Sequence, residues 1–128
     1  EVSCLKYSRQ RELVLAAVKS SMEHPTADMV YAALKADNPS LSLGTVYRNL
    51  NLLAQMGQIH KIGMPEGSDR FDGRTDEHYH MLCQKCGRVY DVQLDTLSEL
   101  DGQIQSQTGF LVHSHDLIVR GVCRACQQ

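Results

Sequence analysis

Residues 42–72, SLGTVYRNLNLLAQMGQIHKIGMPEGSDRFD, decide how the first half of the chain folds. Ser42 offers a side-chain acceptor just before a run in which Leu43, Val46, Leu50 and Leu53 recur at helical spacing, and Gly57 stops the run. That is the pattern of an N-capped amphipathic helix with a glycine terminus. Its other face shows Gly44, Thr45, Arg48 and Asn51. Past the glycine the period changes. β-Branched residues now flank Pro65-Glu66-Gly67, a turn former, so the helix is predicted to lead into a hairpin.

Upstream, SRQRELVLAAVKSSMEH has apolar positions at helical spacing, with Ser8 as N-cap and His24-Pro25 as its end. Proline pushes the residue before it out of the α region. TADMVYAALKADNPS repeats the pattern through Met29, Val30, Ala33 and Leu34, capped by Thr26 and stopped at Asn38-Pro39. Three helices followed by a hairpin give the order of a winged helix-turn-helix, in which the third helix enters the major groove and the wing touches the backbone. A generic helical bundle with a hairpin is the competing reading.

Charge bears on that choice. The 128 residues carry a formal charge of −2, which does not advertise a nucleic-acid binder. Residues 1–72 hold eight basic and eight acidic side chains, and residues 73–128 hold five and seven. An anionic partner therefore docks on the first half, through local cations or a dimer. No apolar run is long enough to span a bilayer, and the first residues lack a basic-then-apolar leader, so a cytoplasmic protein without a membrane partner is expected.

The polar stretch GRTDEH reads as a linker. Domain boundaries are expected at 1–72 and 78–128, with a hinge at 73–77. Beyond it, HYHMLCQKCGRVYDVQL reads as strand, turn, strand. DTLSELDGQIQSQTG reads as a helix capped by Asp95 and ended by Gly109, with Leu97, Leu100 and Ile104 along one side. FLVHSHDLIVRGVCRAC alternates as one long strand. The fold class is α+β: a winged helix-turn-helix domain plus a small C-terminal α/β domain. So small an α/β unit buries little surface, so a metal, a dimer or both are expected to hold it.

Four of the five cysteines form two C-x-x-C pairs, Cys83/Cys86 and Cys123/Cys126, separated by 36 residues. Two such turns make a closed tetrahedral thiolate cage suited to structural Zn²⁺. Paired redox dithiols are the alternative, without the strand-then-helix context that they need. Cys4 reads as an incidental thiol. On a strand, His78 and His80 share one face while Cys83 points to the other, so the motif divides into two sites. Asp72, Asp76, Glu77 and Asp91 lie around the histidines, and an imidazole-carboxylate set without thiolate favours Fe²⁺ or Mn²⁺. An H-x-H on a half-exposed strand is the bland alternative.

HPTADMVY, GTVYRNL, RFDG…DEHYHMLCQKCG and GVCRAC, in this order and spacing, resemble the ferric uptake regulator (Fur) family of bacterial metalloregulatory repressors, across nearly the whole chain. The resemblance implies a homodimer that binds double-stranded operator DNA at an inverted repeat. It implies structural zinc on Cys83, Cys86, Cys123 and Cys126, and a regulatory ion on His24, Asp72, His78, His80 and Asp91. Aspartates at 72 and 91, where iron and zinc sensors more often have glutamate, point to the peroxide-sensing PerR branch. That branch implies oxidation of His24 or His78 by peroxide at Fe(II), with Mn(II) as an insensitive corepressor. A further family site uses an acid where Tyr79 stands; His115 matches one of its ligands, and His113 and His115 are read here as surface or strand-facing residues.

Thr45, Tyr47 and Arg48 are the expected DNA contacts, since the arginine fork can engage guanine O6 and N7 together. Arg48 stands where some peroxide sensors have asparagine, and Tyr47 has a competing role in packing. The function expected is a peroxide-sensing repressor, not an enzyme. The alternatives are an iron or zinc uptake repressor of the same family, a non-haem oxygenase built on His78, His80 and an aspartate, and a purely structural zinc module.

Overall fold

A computed structural model describes residues 6–65 and 67–128, so Cys4 and Glu66 lie outside the described residues. The chain divides into two compact units between Asp76 and Glu77.

The first unit runs α1 (Arg9–Ser20), α2 (Ala27–Lys35), α3 (Leu43–Gln55), β1 (His60–Ile62) and β2 (Arg70–Asp72). Each helix begins at the cap read from the sequence. The side chains of Ser8, Thr26 and Ser42 accept from the backbone N–H of Arg11, Met29 and Thr45. Each satisfies one of the donors that a helix start leaves orphaned. At the other end of α3, Gly57 takes φ +76, and its N–H bonds the Ala54 carbonyl at 3.1 Å.

Val14 and Val18 of α1, Ala27 and Val30 of α2, Val46, Leu50 and Leu53 of α3, together with Leu41, Ile59 and Phe71, form the core. β1 and β2 pair antiparallel with His60 opposite Asp72. Three helices and a two-stranded wing are thus the winged helix-turn-helix. Leu50 is 0% exposed, so Leu50→Ala leaves a cavity that the packed helices only partly fill. The expected cost is about 3 kcal/mol, read as an earlier denaturant midpoint for the first unit.

The second unit runs β3 (Tyr79–Cys83), β4 (Val89–Val92), α4 (Leu100–Thr108), β5 (Ile118–Gly121) and a 3-10 turn (Arg124–Gln127). β3 is central, antiparallel to β4 and parallel to β5. Only Tyr79, His80, Cys83 and Val89 are buried among the described residues here. Leu94, Leu97, Phe110 and Leu111 are more than half exposed.

Two expectations need correction. Asp95 does not cap α4; the cap position is Glu99, without a side-chain bond. The Leu97 N–H, which a helix begun at Asp95 would have in its first turn, goes instead to the Tyr79 hydroxyl at 2.8 Å, and a turn at residues 97–100 follows. Nor is 110–126 one strand. Only Ile118–Gly121 is extended on β3, because Val112 N–H is taken by Gln105 of α4 at 3.1 Å and the C-terminal cysteine turn ends the ladder. Among the described residues no helix is long and apolar enough to cross a membrane.

Candidate metal centres

β3 ends at Cys83, and Gly87 at φ +78 lets the chain turn back into β4, with Gly87 N–H on the Cys83 carbonyl at 2.9 Å. Register places Gly121 of β5 beside Cys83, which carries the second cysteine turn alongside the first. Cys83 Sγ accepts from the N–H groups of Cys86 at 3.4 Å and Cys123 at 3.3 Å. The four sulfurs lie within 4.8 Å of one another, and Cys86 Sγ and Cys123 Sγ are 3.9 Å apart. A tetrahedron with Zn–S of about 2.3 Å has edges of about 3.8 Å, so the donor set fits zinc.

The proton affinities point the same way. The N–H of Cys123, then that of Cys86, lower the Cys83 thiol to about 6. The Cys126 N–H and the Tyr90 hydroxyl lower Cys123. Cys126 is pushed up to about 12, chiefly because its proton is held by Cys123 and by burial. One thiolate forms readily and another is refused. Four thiolates in this space need a cation.

The histidines lie elsewhere on the same strand pair. His80 of β3 stands opposite Asp91 of β4, and His78 lies two residues earlier, just before the strand begins. Asp91 Oδ1 is 3.0 Å from His78 Nε2 and 3.5 Å from His80 Nε2, with the two rings 4.4 Å apart. Both imidazoles are under 5% exposed. Two nitrogens and a carboxylate converge without a sulfur, a donor set that suits Fe²⁺ or Mn²⁺.

The first unit holds the other pair. His24 Nε2 is 3.5 Å from Asp72 Oδ2, with both side chains nearly buried. His24 adopts φ +51, a left-handed conformation that costs a non-glycine residue about 1–3 kcal/mol and persists only where surroundings impose it. Arg70 Nη1 holds the His24 carbonyl at 3.1 Å, and Phe71 N–H holds that of Pro25 at 2.9 Å, so β2 imposes it. Asp72 Oδ1 accepts from Arg74 N–H at 3.0 Å, which turns Oδ2 toward the imidazole.

Arg70, Arg74 and Gly73 were not among the candidate site residues. A Cβ at Gly73 would stand 2.9 Å from Lys19 Cα, and Lys19 Nζ donates to the Gly73 carbonyl at 3.1 Å. The RFDG string was the available signal. Asp76, near the histidines in sequence, instead forms a bidentate pair with Arg74 at 2.8 Å, and Glu77 is exposed.

On α3, Thr45 Oγ1 bonds Ser42 Oγ at 2.9 Å and accepts from Arg48 Nη2 at 3.0 Å. Arg48 is exposed and Tyr47 is 40% exposed, so both reach solvent on the helix face opposite the core. Lys61 of the wing donates to Asn51 of α3 at 3.1 Å, joining wing and helix. His113 is exposed, as read. His115, read as a surface or strand-facing residue, is half-buried: Nε2 meets Tyr79 Oη at 2.6 Å and Nδ1 meets Asp101 Oδ1 at 2.7 Å.

Comparisons with known proteins agree with this architecture. The ferric uptake regulator family matches residues 3–120. A peroxide-responsive repressor, PerR, from Staphylococcus aureus is 37% identical over 123 residues, covering 96% of this chain and 83% of that one. The Campylobacter jejuni peroxide stress regulator superposes with a TM-score of 0.74 at 33% identity, covering 91% of this chain and 88% of that one. The Helicobacter pylori ferric uptake regulator Fur shares the fold, with a TM-score of 0.80 at 23% identity over 99% of this chain and 85% of its own. With a family match over most of its length and the relatives agreeing in sequence and fold, the chain belongs to the ferric uptake regulator family.

Proposed function

We propose that this protein is a metal-dependent, DNA-binding transcriptional repressor that senses hydrogen peroxide, with Fe(II) as the reactive regulatory metal and Mn(II) as an unreactive alternative. The observation that carries the reading is the convergence of His78 and His80 on Asp91, at 3.0 and 3.5 Å, in a chain 37% identical to a peroxide-responsive repressor. His24, Asp72, His78, His80 and Asp91 are the proposed regulatory ligands, and Cys83, Cys86, Cys123 and Cys126 the structural zinc ligands. Thr45, Tyr47 and Arg48 face operator DNA.

Residues 1–72 act as the DNA-binding domain, 73–77 as a hinge and 78–128 as the dimerisation domain. A homodimer is proposed, supported by the exposed Leu94, Leu97, Phe110 and Leu111, apolar side chains that a second copy would cover. Two copies then read an inverted repeat, since a two-fold protein matches a two-fold site. Such a repressor works in the cytoplasm and turns over no substrate.

Fe(II), when bound, would supply the chemistry that activates peroxide, with no net electron taken from the iron. The ligand residues place an imidazole carbon next to that chemistry and keep it largely dry. In that chemistry the O–O bond of peroxide would break, one oxygen would enter an imidazole C–H bond of His24 or His78, which gives up the two electrons, and the other oxygen would leave as water with the displaced hydrogen. The altered imidazole would be a poorer ligand, which would weaken metal retention and with it operator binding.

The test uses anaerobic, iron-loaded protein on operator DNA. Given peroxide, peptides holding His24 or His78 gain the mass of one oxygen and the DNA is released, whereas Mn(II)-loaded protein keeps both mass and DNA. Unchanged mass with DNA still bound would leave an iron or zinc uptake repressor in its place.

A further inference from the structure

Tyr79 lies between the two histidines of the proposed regulatory site, yet its ring points to the other face of β3 and takes no part in that site. Its hydroxyl is 2.8 Å from Leu97 N and 2.6 Å from His115 Nε2, and His115 Nδ1 is 2.7 Å from Asp101 Oδ1. One arrangement gives each donor its own acceptor. Leu97 N–H donates to the Tyr79 oxygen, Tyr79 O–H donates to His115 Nε2, and His115 Nδ1–H donates to Asp101. The imidazole is thus held at both ring nitrogens, between a phenol and a carboxylate.

Four separate segments meet in this string: β3, the turn after β4, the start of α4 and the stretch before β5. α4 buries no residue of its own, so apolar packing does not seat it. The string ties the first turn of α4 to β3 and to the stretch before β5, and Gln105 Oε1 on Val112 N–H at 3.1 Å adds a second tie. Tyr79 is 7% exposed, so these bonds face little competition from water.

We propose that Tyr79, His115 and Asp101 are positioning residues for the His78–His80–Asp91 chelate. Strand geometry carries the effect. Side chains alternate across β3, so a rotation of Tyr79 about the strand axis turns His78 and His80 together away from Asp91. Anchoring the phenol at its far end removes that rotation. Outer groups that orient metal-binding imidazoles are worth about 10–100-fold in metal affinity.

The inference rests on the reading of His78, His80 and Asp91 as regulatory ligands, and the experiment separates the two. Mn(II) is titrated calorimetrically into zinc-loaded full-length protein and into Tyr79→Phe, His115→Ala, His115→Gln and His80→Ala. Tyr79→Phe keeps the ring and loses the string; it and His115→Ala are expected to weaken Mn(II) binding about tenfold, with zinc content unchanged. His115→Gln, which restores an acceptor near the Nε2 position, recovers part of the loss. The Leu97 amide exchanges faster in Tyr79→Phe, and in the wild type it slows when Mn(II) is added.

A merely structural role would lower the melting temperature and leave the Mn(II) affinity of the folded protein unchanged. Mn(II) binding within twofold of wild type in both Tyr79→Phe and His115→Ala, with His80→Ala defective, overturns the positioning role alone. Mn(II) binding that survives His80→Ala overturns the ligand reading and this inference with it. If Tyr79→Phe does not fold, the His115 pair decides.

Discussion

Replacing Cys83 with serine is expected to empty the thiolate cage and unfold the second unit. Cys83 is the hub of that cage: it is 3% exposed, it ends the central strand, and it alone accepts N–H groups from both cysteine turns. Serine keeps the shape but not the soft, readily ionised donor. The unit can ill afford this, because its apolar burial amounts to Tyr79, Cys83 and Val89 with no help from α4. Structural zinc in small domains contributes on the order of 10 kcal/mol of folding free energy, against a whole-domain stability of about 5–15 kcal/mol. The expected result is zinc content near zero by elemental analysis, loss of sheet signal from the second unit and loss of the dimer. A Cys83→Ser protein that stays folded without zinc would show that the core suffices.

Acid should act in the same direction. In the metal-free unit the two shifted thiols pull against each other. Cys83, lowered from 9.0 to about 6, contributes stability that is complete above 9 and fades as pH falls through 6. Cys126, raised from 9.0 to about 12, contributes stability that is complete below 9 and fades as pH rises toward 12. Zinc reverses the second effect by taking the proton's place on Cys126. Metal binding therefore releases protons, and its affinity weakens as pH drops.

How much of this was legible depends on how local each signal was. Ser8, Thr26 and Ser42 were readable because a cap is a matter of one side chain and a donor three residues on. The division of the metal motif was readable because strand parity alone separates His80 from Cys83. Asp95 misled for the opposite reason. It looks like a cap, but the Leu97 N–H belongs to a tyrosine 18 residues away, and nothing near Asp95 announces that. The long strand failed in the same way: alternation over 110–126 was real, while pairing was available only beside β3. His115 was read as a surface or strand-facing residue because the family site it matches lacks its acid at Tyr79, and its actual partners, 36 and 14 positions distant, are not announced by anything beside it. The left-handed His24 was half visible, since His-Pro excludes the helix but does not select φ +51, which β2 imposes through Arg70 and Phe71.

Substituting His80 by alanine is expected to abolish metal-dependent operator binding while leaving zinc in place, and the reason lies in what a shared ion does to two linked equilibria. The imidazole of His80 is 4% exposed and faces Asp91, on the sheet face away from the cysteines, so its loss should not reach the cage. In the proposed repressor His80 is one of the ligands of the regulatory ion. Binding that ion is proposed to favour the state that DNA also favours. Two ligands favouring one state must help each other equally, by about 1–3 kcal/mol or roughly 5–150-fold. Wild-type protein should therefore bind operator that much more tightly with Mn(II), and bind Mn(II) more tightly with operator, by the same factor measured in either order. His80→Ala should bind operator at the metal-free level whatever the Mn(II) concentration, with zinc still bound as in the wild type. Unequal factors in the wild type would mean that metal and DNA do not share a state. A His80→Ala protein that still answers to Mn(II) would move the regulatory ion off β3.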